Sequence, residues 1–213
     1  MTSCPICAAT QSVLFLRARE HASGDWFEVC RCAQCGVVFT SPPANLGRYY
    51  HSYYRRYRPW VHALLRFIYR FYGRRWAREC GPPGHALEIG CGEGWTLDAL
   101  RHEGWQVVGT ERTPESAKFA ANEQQLPVIV GDLDALRLRP MFDLIFMHHV
   151  LEHLPDPMTK LQQCATLLKT GGTLLIVVPN VASWQFRAFQ QHWFHLDVPR
   201  HLTHFTPSSL QEV

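Results

Sequence analysis

Nowhere in its 213 residues does the chain hold an apolar run of the ~18 residues that a membrane-spanning helix needs. Its amino terminus, Met-Thr-Ser-Cys-Pro, has no basic start followed by an apolar stretch, so no secretory leader is expected. Both absences predict a cytoplasmic protein. Charge is sparse: 18% of residues are Asp, Glu, Lys or Arg and the formal net charge is +3, too little to expect nucleic-acid binding. Internal repeats and low-complexity tracts are missing, which excludes a solenoid or a disordered array. Acidic residues are missing from one stretch, Arg48 to Arg78, where nine arginines are interleaved with Tyr, Trp and Phe.

Against these absences stand a 46% hydrophobic content, enough for one α/β core with a small appendage, and eight cysteines, five of them within the first 35 residues. Clustered cysteines in a cytoplasmic chain suggest a metal site before a disulfide framework. Cys4-Pro-Ile-Cys7 and Cys32-Ala-Gln-Cys35-Gly36 are two CxxC knuckles separated by 24 residues. Two residues between thiolates let both sulfurs face one tetrahedral ion, so Cys4, Cys7, Cys32 and Cys35 are expected to bind a structural zinc; Cys30 is a spare. A module of residues 1–41 follows, too small to bury much core without the ion.

Residues 42–80 form an aromatic, basic segment that reads as one or two amphipathic helices. Leu64, Leu65, Ile68 and Phe71 fall at helical spacing as a candidate apolar stripe, with Arg66, Arg70, Arg74 and Arg75 mainly elsewhere. An ordinary packed helix with a solvated basic face is expected. Peripheral contact with an anionic membrane surface is the competing interpretation.

Gly81-Pro-Pro-Gly84 breaks that helix and opens the main domain, residues 81–213. Strands are expected at Ala86–Ile89, Gln106–Thr110, Pro127–Val130, Phe142–Met147 and Thr173–Val178, with helices near Trp95–His102, Pro114–Gln124 and Pro157–Leu168. The alternation implies an α/β fold, a parallel sheet with helices on both faces.

Glu88-Ile-Gly-Cys-Gly-Glu-Gly94 follows the first strand, and its glycines let the backbone turn sharply close to a ligand. A dinucleotide site would need glycine or alanine where Trp95 stands. Glu111, about twenty residues on at the end of the second strand, can accept both hydroxyls of a ribose. Asp132, after the third strand, can accept from an exocyclic amine while Leu133 covers a purine.

With FDLIFMHHVLEHL and LLKTGGTLLIVVPN, these segments resemble a class I S-adenosylmethionine-dependent methyltransferase from Ala86 to about Val178. The resemblance implies a Rossmann-like three-layer sandwich with S-adenosyl-L-methionine as cofactor. It further implies Glu88 near the methionine moiety, Gly90, Cys91, Gly92 and Gly94 lining the cofactor, Glu111 on the ribose, Asp132 and Leu133 on adenine, and His148 against the cofactor. The cysteine pairs and His195-Leu-Asp-Val-Pro-Arg-His-Leu202 resemble a bacterial subgroup with a zinc-binding extension, often tied to sugar or secondary-metabolite pathways.

Methyl transfer needs alignment and removal of one proton from a small-molecule acceptor. His149, Glu152 and His153 follow the fourth strand, and His192, His195, His201 and His204 crowd together later; His149, His153, His195 and His201 are the candidates for catalysis. Thr206-Pro207 opens a helix that stops at Val213, and only five of the seven strands implied by the resemblance are legible, so a chain cut after the fifth strand is expected. An inactive adenosine-ligand binder and a zinc-ribbon interaction protein are the alternatives.

Overall fold

The computed structural model describes residues 3–50, 59–133 and 140–213. The front of the basic segment, with Arg55, Arg56 and Arg58, and the Asp134-Ala-Leu continuation of the adenine motif lie outside the described residues. Two compact units emerge, and neither is contiguous in sequence: one comprises residues 54–148 and 162–177, the other residues 1–53, 149–161 and 178–213.

The first unit contains α1 (Pro59–Glu79), β4 (His85–Ile89), α2 (Trp95–His102), β5 (Gln106–Glu111), α3 (Pro114–Asn122), β6 (Val128–Val130), β7 (Phe142–His148) and β8 (Leu168–Val177), the last preceded by α4 (Pro157–Leu167). The five strands form one parallel sheet in the order β6-β5-β4-β7-β8. β4 sits at its centre, covered on both faces. That explains its unbroken run of buried residues from Ala86 to Ile89, with no polar alternation. The register sets Glu88 level with Gly109 on one side and Phe146 on the other. β8 begins five residues before the expected Thr173. Leu168 pairs with Phe142 and Thr173 with Leu144, so the intervening glycine-containing segment is absorbed as a bulge rather than a turn.

The face of α1 that packs is not the expected stripe. Leu64, Ile68 and Phe71 are exposed, whereas Gly73 and Ala77 are buried, with Leu65, Tyr69 and Trp76 half-buried on the same side. The reason is Gly73: a Cβ there would lie 2.5 Å from Ala99 Cβ of α2, so the two helices cross at bare backbone. Ala77 then joins Ala86, Leu100, Trp105 and Leu144 in one core cluster. Thus α1 belongs to the unit of the parallel sheet, not to a separate segment 42–80.

The second unit is built on a four-stranded antiparallel sheet in the order β1-β2-β3-β9, made of β1 (Ser12–Arg19), β2 (Trp26–Cys32), β3 (Val38–Thr40) and β9 (Thr203–His204). β3 pairs with β9 through Val38↔His204 and Phe39↔Thr203. Its core joins Ala18, Val29 and Val38 to Val181, Phe186, Trp193, Leu196 and Val198. The expected 1–41 module therefore does not stand alone, because the far end of the chain supplies its fourth strand and half its core. α5 (Trp184–Phe189), capped by Ser183, and α6 (Pro207–Gln211), opened by a Thr206–Ser209 capping box, complete the α-helices among the described residues.

Candidate active site

Glycine is required at the β4–α2 turn because Gly90, Gly92 and Gly94 all take left-handed backbone conformations, with φ of 65°, 54° and 80°. Their surroundings differ. A Cβ on Gly92 would meet nothing within 4 Å, so open space faces that backbone, while one on Gly94 would lie 2.5 Å from Leu126 Cδ1. Gly94 thus also serves helix packing, a role the sequence spacing does not reveal. The Cys91 side chain is buried with Leu97, Ala120 and Leu126, and burial raises its thiol pKa; only its backbone is available to a ligand. Trp95 fills the position that excludes a dinucleotide, against His62 and Phe119, with its Nε1 donating to Glu93.

Two carboxylates flank this turn. Glu88 is 2% exposed, and burial raises its pKa well above the ordinary value, opposed by bonds from the Thr96 hydroxyl and Leu97 N–H. Glu88 Oε2 is buried without a hydrogen-bond partner among the described residues. A buried acceptor left open is costly unless a donor arrives, and an ammonium group fits it. Glu111 is held in place: its Oε2 accepts from Gly92 N at 2.9 Å and its Oε1 from Thr113 N at 2.7 Å. Asp132 Oδ1 accepts from Leu133 N, Leu133 is buried, and His148 closes β7 among the rings of Tyr69, Trp76 and Phe146. An open glycine turn, a buried carboxyl with one open oxygen and an oriented carboxylate fit S-adenosylmethionine.

The histidines considered for catalysis belong to the other unit, and they separate into distinct roles. His149 has a φ of 56°, a strained conformation for a side chain of its size, and its Nδ1 lies 3.0 Å from Glu152 Oε1. His195 stacks on it at 5.9 Å, its pKa lowered by burial and by His149. His153 Nδ1 donates to Arg200 O and His201 Nδ1 to His195 O, both at 2.9 Å. His204 is buried and bonded to Thr40 at 2.8 Å, and burial pushes its pKa down to about 3, which holds it neutral as a structural tie. Sequence reasoning missed Arg200 as an organiser. It donates to Asp197, to Glu20 Oε1 at 3.1 Å and to Tyr49 O at 2.9 Å. No local pattern links residues 180 apart.

In the same unit, Cys4, Cys7, Cys32 and Cys35 bring their sulfurs within 4.8 Å of one another. Cys4–Cys35 and Cys7–Cys32 are each 3.6 Å apart, close to the ~3.8 Å edge of a tetrahedron with ~2.3 Å zinc–sulfur bonds. Both knuckles make the same turn, Ala8 N to Cys4 O and Gly36 N to Cys32 O, and each closes at positive φ. Gly36 advertises this in the sequence and Ala8 does not. Cys30 packs against the same small core but is not one of the four.

A family model described as a methyltransferase domain matches residues 51–213. Among curated proteins, the ubiquinone biosynthesis O-methyltransferase of Xanthomonas campestris is 33% identical over 111 residues, covering 49% of this chain and 46% of that protein. The protein of the same name from Coxiella burnetii is 35% identical over 102 residues, covering 45% and 44%. The chain therefore aligns with about half the length of these relatives. Two solved structures share the fold: a SAM-dependent methyltransferase from Archaeoglobus fulgidus (TM-score 0.55, 23% identity, 69% of this chain and 66% of that one) and a possible histamine N-methyltransferase from Thermotoga maritima (TM-score 0.56, 21% identity, 70% of each). With its parallel sheet, its glycine turn and a match that spans most of its length, the chain belongs to the methyltransferase-domain family.

Proposed function

We propose that the chain transfers a methyl group from S-adenosylmethionine to an oxygen of a small-molecule acceptor. The observation that carries this is the pair of carboxylates at the glycine turn: Glu88 buried with an open oxygen, Glu111 fixed by two backbone N–H groups. Glu88 would receive the amino group and Glu111 the ribose hydroxyls. Asp132 and Leu133 would hold adenine, and His148 with the backbone of Gly90, Cys91, Gly92 and Gly94 would line the cofactor. The bound cofactor supplies a methyl already activated by its sulfonium. The protein's share is to align the acceptor and remove its proton.

His149 is the base of this scheme. Its Nδ1 is tied to the buried Glu152, which fixes the ring and stabilises the cation formed when Nε2 takes the acceptor's proton. His195 backs the same ring. An oxygen acceptor is favoured because the curated relatives are named O-methyltransferases, and quinone-pathway intermediates join sugars, phenols and secondary metabolites as candidates. Zinc in the four-cysteine site would be structural, since protein sulfurs fill all four positions.

Calorimetric titration with S-adenosylmethionine tests the cofactor assignment. Binding is expected, weakened about tenfold or more by Glu111→Ala; no binding by the unaltered chain would overturn it. In methyl transfer to a panel of hydroxylated acceptors, His149→Ala is expected to lower kcat on the order of 100-fold with unchanged cofactor affinity. An unaltered kcat removes His149 from the mechanism.

Peripheral membrane contact is supported by α1, whose Trp60, Phe67 and Phe71 are 66%, 73% and 67% exposed on a helix with five arginines and one acidic residue. Co-sedimentation with anionic vesicles, lost on Phe67→Glu with Phe71→Glu, is the expected result. Equal recovery with zwitterionic vesicles argues against a charge-assisted contact.

A further inference from the structure

Among the described residues, His153 and His201 share one tautomer. Each Nδ1 faces a backbone carbonyl at 2.9 Å, and a carbonyl only accepts, so Nδ1 carries the proton and a neutral ring keeps its lone pair on Nε2. Glu152, 1% exposed, lies between them in function. Its Oε1 is 4.0 Å from His201 Nε2, and its Oε2 is buried with no hydrogen-bond partner among the described residues. One ligand atom from each of Glu152, His153 and His201 falls within 4.8 Å of the other two. Two imidazoles and a carboxylate thus come together in one small cluster. Asp197, 3.8 Å from His201 Nε2, adds a further acceptor and is already engaged by Arg200. Acceptors gathered in a buried site repel one another unless a cation joins them.

We propose that Glu152, His153 and His201 hold a divalent first-row transition-metal ion through the carboxylate and the two Nε2 atoms. Imidazole ligands are typically oriented by a carbonyl accepting from the opposite nitrogen, the arrangement both rings have here. Two imidazoles and one carboxylate suit zinc or iron(II) and leave coordination positions for water or another oxygen ligand, unlike the closed four-sulfur site. A proton is the competing cation. The proton nearest the carboxylate already lies on the 3.0 Å path between His149 Nδ1 and Glu152 Oε1, and the 4.0 Å from Oε1 to His201 Nε2 exceeds hydrogen-bond reach, so no proton bridges that pair. Glu152 would then serve twice, orienting His149 by one oxygen and binding the ion by the carboxylate, and two of the histidines first considered as bases become ligands.

The test is metal content by mass spectrometry, after the full chain has been loaded with zinc and dialysed against metal-free buffer. Two ions per chain are expected for the unaltered protein, one for His153→Ala and one for Cys7→Ser. Glu152→Gln, which keeps the side-chain volume, is expected to lose the same ion as His153→Ala while retaining the native circular dichroism spectrum. One ion in the unaltered chain, lost on Cys7→Ser and kept by His153→Ala and Glu152→Gln, overturns the proposal. One ion kept by Cys7→Ser and lost on His153→Ala supports it and sinks the cysteine site instead.

Discussion

Arg200 shows what a single buried charge demands. Its guanidinium is satisfied by Asp197, by Glu20 and by the carbonyl of Tyr49, and Glu20 in turn accepts from the N–H groups of Ala22 and Ser23. Burial alone would raise the Glu20 pKa, but the Ser23 and Ala22 donors and Arg200 outweigh it and hold the carboxyl below its ordinary value. A carboxyl with a depressed folded-state pKa adds stability above the unfolded value, ~4.3, and loses it as pH falls through the folded value. Glu20→Gln is therefore expected to be less stable at pH 7 by about 2 kcal/mol. Urea midpoints at pH 7 and pH 3 should show the gap to the unaltered protein narrowing in acid; a constant gap would contradict the linkage. At this scale the sequence brought together candidates that are close along the chain, such as His149 and Glu152 three residues apart, without showing that they bond. It was silent where they are distant, as with Glu20 and Arg200.

The helices and strands of the parallel sheet were legible because β4, β5 and β7 are short apolar runs set between amphipathic helices. α1 misled because aromatic residues encircle it, and hydrophobicity alone does not say which side approaches a neighbour. Gly73 decides that. Alanine for glycine inside a helix ordinarily stabilises by up to ~1 kcal/mol, yet here the added methyl meets Ala99 at 2.5 Å. Overpacking costs of about 1–3 kcal/mol outweigh the propensity gain, so Gly73→Ala is expected to lower the melting temperature. The double substitution Gly73→Ala with Ala99→Gly should recover part of the loss. A stabilised Gly73→Ala would mean that the crossing is looser than described.

On the scale of the whole molecule, the two units differ in what sustains them. The parallel sheet is flanked by apolar clusters drawn from its own strands and helices, while the antiparallel sheet carries the four-cysteine site at one end and draws core residues from both ends of the sequence. Stripping the zinc proposed for the four cysteines with a chelator is expected to cost the second unit several kcal/mol. Hydrogen exchange should show lost protection in β1, β2, β3 and β9 with β4, β5 and β7 unaffected; uniform loss would refute that division. β9, two residues long, had no signature a sequence could display, since its identity as a strand comes wholly from β3.

That pairing has a kinetic side. Thr40 and His204, bonded across it, are 164 residues apart, so at ~5–20 residues per second a ribosome needs roughly 8–33 s to deliver the second after the first. Throughout that interval the outer edge of β3 has no partner of its own, and an unpaired edge recruits whatever strand is near. The sheet that is started first is closed last, and the nascent chain is most vulnerable to mispairing in the part that holds five of its eight cysteines.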